Sequence, residues 1–211
     1  MNKSYVVVCL LLFVLMSCSP SVNIIGSWSS PKKSTGGYNS IFVTALTQNV
    51  LARQTVETYL EDMILAQGIS ATGSFEIIPP GFKAKEADKE AILGEIRQLG
   101  SKAILIITLL DQTNETRYVP GTSAYMPMGF GYHGRFWSYY GMYNPYMYDN
   151  GYYTTDKKYY LEANLYEVQS EEMIWSSQSE SANPSSLKQF SKAFANSVVK
   201  QLVKDGIIAR I

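Results

Sequence analysis

Ala103–Leu110, AILIITLL, is an unbroken apolar run of strand length. A strand apolar on both of its faces belongs inside a sheet, covered from both sides. Its upstream neighbour is Gly100, placed to stop a helix that runs from about Ala87 to Leu99. Asp88 is the expected cap of that helix, and Ala91, Ile92, Ile96 and Leu99 its inward face. Before it, Phe75-Glu76-Ile77-Ile78 reads as a strand stopped by Pro79-Pro80. Earlier still, Val56, Tyr59, Leu60, Met63 and Ile64 recur at three- and four-residue spacing, which predicts an amphipathic helix. Thr47 is its expected cap and Gly68 its stop. Ile41–Leu46, IFVTAL, precedes it as a buried strand.

Downstream, Tyr159, Leu161, Ala163 and Leu165 alternate with Tyr160, Glu162, Asn164 and Tyr166, the period of a strand with one buried face. Gln169–Glu172 reads as a turn, and Met173-Ile174-Trp175 begins the partner strand of a hairpin. Ser186 and Gln189 stand at capping-box spacing. They open a last helix whose stripe is Leu187, Phe190, Phe194, Val198 and Leu202. The order is therefore β-α-β-α-β-(insertion)-β-β-α. Strands separated by helices pair in parallel through right-handed crossovers, and the hairpin adds antiparallel strands. The expected fold is α/β, a mixed sheet of about five strands backed by about three helices.

Two stretches, Gln54–Gly68 and Gly100–Leu110, have the form of a helix or its end, a glycine, and then a strand. With Leu165-Tyr166-Glu167 and Ile174-Trp175-Ser176 across a turn, they resemble the periplasmic α/β domain of the TolB N-terminus and of penicillin-binding-protein activator and curli-secretion lipoproteins. The likeness spans most of residues 38–208 in element order. It implies the architecture and leaves the partner open.

The N-terminus reads as a targeting signal. Lys3 is followed by the apolar run Val6–Met16, too short for a bilayer-spanning helix of about 20 residues. Leu15-Met16-Ser17-Cys18 then resembles the lipobox of bacterial lipoproteins. In that family the cysteine thiol is diacylglycerylated, the chain is cut before it and the new N-terminus is acylated, which assigns lipidation to Cys18. The other cysteine, Cys9, would leave with the peptide, so lipidation also explains a single unpaired thiol in an oxidising compartment. Ser19, in place of aspartate, points under the enterobacterial sorting rule to the outer membrane. Residues 1–17 are thus the signal peptide and 18–37 a Ser- and Pro-rich tether, with Ile24, Ile25 and Trp28 also suited to an edge strand. Residues 38–211 form one domain.

Balanced charge, with 18 Lys and Arg against 18 Asp and Glu, provides no general pull on nucleic acid. The compositional anomaly is the insertion at 117–153, where 10 of the 16 tyrosines lie among six glycines and three prolines. Such density breaks regular structure, and tyrosine is enriched in binding surfaces. Four readings stay open: a loop draped on the domain, a partner-binding surface, a headgroup-level aromatic belt, and a membrane-spanning hairpin. The last is disfavoured by Gly141 and Asn144-Pro145. As a partner-binding surface it would use Tyr132, Phe136, Trp137, Tyr139, Tyr140, Tyr143 and Tyr146 for an envelope protein or glycan.

Catalytic patterns are not found in the sequence. His133 is the only histidine, so a multi-histidine metal site is excluded. Phosphate-binding and nucleophile-elbow motifs are missing. Glu57 and Glu61, at i and i+4, read as a solvated helix face. No cofactor and no metal is expected. The chain reads as a membrane-anchored envelope lipoprotein presenting a non-catalytic interaction or assembly domain, with oligomerisation left open. The alternative is a cell-wall or surface-glycan enzyme, or a glycan-binding protein, using the aromatic insertion.

Overall fold

The computed structural model describes residues 22–82, 88–119 and 152–209. Cys18, and the insertion residues from Tyr132 to Tyr146 that were singled out as a binding surface, lie outside these. The chain divides into two compact units: residues 1–112 with 158–211, and residues 113–157.

The first unit is built on an α/β sheet. In chain order come β1 (Val22–Ser29), β2 (Ser40–Leu46), α1 (Val50–Leu65), β3 (Ser70–Gly73), a 3-10 turn (Ser74–Glu76), α2 (Lys89–Gln98), β4 (Ala103–Val119), β5 (Tyr152–Glu167), β6 (Met173–Ala182) and α3 (Leu187–Lys204). The strands lie in the order β1-β6-β5-β4-β2-β3. β2 pairs in parallel with β3 and β4, while β6 pairs antiparallel with β5 and β1. The sheet is mixed and α/β as expected, with six strands. The sixth is β1, inside the stretch read as a tether with an edge-strand option. Its carbonyl at Val22 accepts from Ser197 Oγ of α3 at 2.9 Å.

The principal core lies between one face of the sheet and the pair α1–α3. Ile41, Val43, Leu105 and Leu165 meet Leu60, Ile64, Phe194 and Leu202 there, all without solvent exposure. Each such side chain contributes about 1.5–3 kcal/mol relative to exposure. The opposite face is covered near one end, where Phe42, Ile96 and Val168 pack with Ile92 and Ile104. Hence the apolar run 103–110 is indeed interior, but its even-numbered side chains are only partly covered. Leu109 and Leu110 are about half exposed.

Several expectations are corrected. The strand expected at 75–78 lies at Ser70–Gly73 instead. Ser74 receives the carboxylate of Glu57 on its backbone N–H (3.0 Å), and Ile77 and Ile78 N–H both turn back to the Ser74 carbonyl, which coils the chain where apolar composition suggested extension. α1 is capped by Asn49, whose side chain accepts from Ala52 N at 3.0 Å; Thr47 holds the Asn49 N–H just ahead of it. In α2 the buried residues are Leu93 and Ile96, while Ala91 and Leu99 are exposed, so the packed face is rotated from the expected one. Its N-cap is Asp88, with no side-chain cap bond. Gly68 and Gly100 end their helices as expected, at φ 73° and 76°, where a side chain would be strained. Ser186 caps α3 through Gln189 N at 3.2 Å.

Residues 113–119 and 152–157 belong to the second unit, so the strands flanking the insertion run further than the sequence suggested. There Thr116 and Thr155 hydroxyls lie 3.1 Å apart, and Arg117 Nε pairs with Asp156 at 3.2 Å.

Candidate functional site

An apolar cleft opens in the first unit at the carboxyl end of β2 and beside the middle of β4, with a volume of about 420 Å³. Ala45, Leu46, Ile107 and Leu109 form its base. Tyr159 and Leu161 of β5 line it on the sheet side, and α1 supplies Ala52 and Val56. Phe190 of α3 closes the opposite wall, stacked on Phe194 at 6.0 Å and tilted against Tyr159 at 6.4 Å. The end of a sheet at the carboxyl termini of parallel strands is a common ligand position in α/β folds.

Both helix N-termini that border the cleft, α1 and α3, have a backbone N–H bonded to their own cap side chains, Asn49 and Ser186. Among the described lining residues Tyr159 carries the only ionisable group. Such a lining favours apolar matter by excluding water from it.

Directly behind the cleft lies a buried polar cluster. Glu57, 1 % exposed, accepts from Ala45 N at 2.8 Å, Ser74 N at 3.0 Å, Ser74 Oγ at 2.8 Å and Arg53 Nε at 3.1 Å. Arg53 also donates to Ser74 Oγ and, at 2.8 Å, to the Ile78 carbonyl, and its guanidinium lies 4.7 Å from the centre of the Phe75 ring. This corrects the reading of Glu57 as a solvated residue. Its four accepted bonds, two of them from backbone groups, spend its acceptor capacity on tying α1 to β2 and the 3-10 turn. The signal in sequence was Arg53 at i−4 to Glu57, on the same stripe as Leu60 and Ile64.

At the other end of the sheet a polar hollow of about 600 Å³ is lined by Tyr38, Arg97, Lys102 and Glu167. Tyr38 donates to Glu167 Oε1 at 3.4 Å and accepts from Ser34 N at 3.4 Å. Burial raises the Tyr38 phenol above its usual value, with the Glu167 charge adding to the rise against the Ser34 contact, so the phenol stays neutral at physiological pH. Also toward this end Trp175 Nε1 donates to Asp205 Oδ2 at 2.8 Å. Burial pushes the Asp205 carboxyl up, but hydrogen bonds from Trp175, Gln201 and Ser27 and the charge of Lys204 outweigh it, leaving the group below the ordinary aspartate value.

Among the described residues no cluster of three His, Cys, Asp or Glu side chains is arranged to hold a metal ion, and no helix is long and apolar enough to cross a membrane.

No protein-family model matches the chain, and no curated protein does. Solved structures do resemble it. The PelC dodecamer from Paraburkholderia phytofirmans is 14% identical over 85% of this chain and 97% of that one, with a TM-score of 0.43. The lipoprotein GNA1162 from Neisseria meningitidis is 15% identical over 78% of this chain and 98% of that one, at 0.39. A PDZ domain protein from Parabacteroides distasonis is 8% identical; the alignment takes in 96% of this chain but only 40% of that one, at 0.41.

Proposed function

We propose that this chain is a cell-envelope lipoprotein, held by acyl chains on Cys18 to the outer membrane, whose α/β body is a non-catalytic interaction or assembly domain. The observation that carries the reading is the Leu15-Met16-Ser17-Cys18 motif behind its short apolar run, with β1 entering the sheet at Val22, four residues beyond the cysteine. Two or more acyl chains hold a protein stably to a membrane, whereas one does so only marginally. Support for a non-catalytic role comes from the cleft, whose lining is chiefly aliphatic and aromatic. The buried Glu57 beside it is engaged by backbone and by Arg53. In this reading the aromatic side chains of the insertion, Tyr132, Phe136, Trp137, Tyr139, Tyr140, Tyr143 and Tyr146, meet an envelope protein or glycan.

The test is Cys18→Ala in cells fed a labelled fatty acid. Label is expected on the wild type and absent from the variant, which moves from the membrane to the soluble fraction. An unlabelled wild type, or a variant that still needs detergent for extraction, defeats the anchor.

A further inference from the structure

The apolar cleft and the proposed anchor lie at the same end of the sheet. In the register of the strands Val22 stands opposite Ser181, and Tyr159 opposite the same Ser181 from the other side. Val22 is therefore level with Tyr159 and two strand spacings, about 10 Å, from it. Tyr159 lines the cleft. Between Cys18 and Val22 stand only Ser19, Pro20 and Ser21, so the lipid-bearing residue reaches at most about 14 Å from the start of β1. A body on so short a strap cannot turn its far end to the membrane.

The rim of the cleft is apolar as well. Leu46, Val50, Leu51 and Leu109 are 58%, 46%, 65% and 50% exposed, and they stand at the end of β2, in the first turn of α1 and midway along β4. Exposed apolar side chains gathered beside an apolar cleft suit a contact with protein or lipid. Here the length of chain between Cys18 and Val22 decides between them.

We infer that this end of the body is a membrane-docking face. The rim leucines seat in the headgroup–acyl boundary of the leaflet that holds the Cys18 acyl chains, and the cleft takes lipid hydrocarbon. The inference rests on the anchored reading above. It assigns the cleft a lipid occupant and gives the body a fixed orientation: α1 and α3 meet the membrane with their N-termini, while the Tyr38–Glu167 hollow faces away.

The experiment uses the full-length acylated protein in its own membrane, with a photo-crosslinking phenylalanine derivative at Leu51, at Leu109, or at the exposed Gln169 beyond the far end of β5. Adducts are identified by mass, and acylation of Cys18 is read from the N-terminal peptide of the same sample. Phospholipid adducts at Leu51 and Leu109 are expected to exceed those at Gln169 by roughly tenfold, as for a group inside rather than outside the acyl boundary. Acylated Cys18 with adducts to a protein partner or a second copy at both positions overturns the docking face and leaves the anchor standing. So does acylated Cys18 with equal lipid labelling at all three. A non-acylated Cys18 overturns the anchor, and the docking face with it.

Discussion

The two ends of the sheet are finished with opposite chemistry. At the end where β1 begins, chiefly aliphatic and aromatic side chains line an open cleft, and a buried charged cluster sits behind it, saturated by its own hydrogen bonds. At the other, Tyr38, Glu167, Arg97 and Lys102 line a polar hollow, and Trp175 is locked to Asp205. Water wets the second end at little cost, whereas the exposed apolar side chains of the first order water unfavourably. In a soluble domain such asymmetry would be a liability, and in a tethered one it supplies a direction.

The contrast breaks most visibly at the cluster behind the cleft. Glu57→Ala leaves Arg53, whose side chain is 9% exposed, without its counter-charge, and strands the Ala45 and Ser74 N–H groups. Removing one partner of a buried pair costs about 3–5 kcal/mol, so a large fall in the midpoint of urea unfolding is expected. A variant within 1 kcal/mol of wild type would show that the cluster does not hold the cleft end together.

At the polar end the effect depends on pH. The folded-state pKa of Asp205 is depressed, so its contribution is present above the unfolded value of about 3.9 and lost as pH falls through the lower folded value. Asp205→Asn should therefore be less stable than wild type at neutral pH by an amount that shrinks below about pH 4. Chemical denaturation at a series of pH values checks this. A gap that stays constant from neutral to strongly acid conditions contradicts the assignment.

The smallest effect on stability belongs to the rim. Leu51→Ser removes a side chain that is already 65% exposed, and should change stability by no more than about 0.5 kcal/mol. The same change should weaken association of the body with the membrane, measured as increased protease access to this end of the anchored protein. Loss of cooperative melting would mean that Leu51 belongs to the core.

Elements with clean periodicity were legible in the sequence. The stripe of α3, the alternation of β5 and the apolar run of β4 each repeat a burial pattern every few residues, and the structure has them where the pattern runs. Elements that depart from the binary rule were not. β6 extends to Ala182, yet its inward residues Ser177, Ser179 and Ser181 are small and polar while 1–3% exposed, so only its first residues looked like a strand. Glu57 hid for the related reason that a carboxylate at a core position has the same letter as one in water. The cleft was invisible because its walls come from β2, α1, β4, β5 and α3, which are far apart along the chain.

By itself the sequence determined the α/β class, the helix stops at Gly68 and Gly100 and the capped start of α3, because each depends on periods and backbone preferences confined to a few neighbouring residues. Tertiary structure alone decided that Arg53 and Glu57 are buried together, that Ser70–Gly73 rather than Phe75–Ile78 completes the sheet edge, and that Val22 stands level with the cleft. Those are matters of which strand pairs with which and in what register, and they are set by long-range packing that no local window contains.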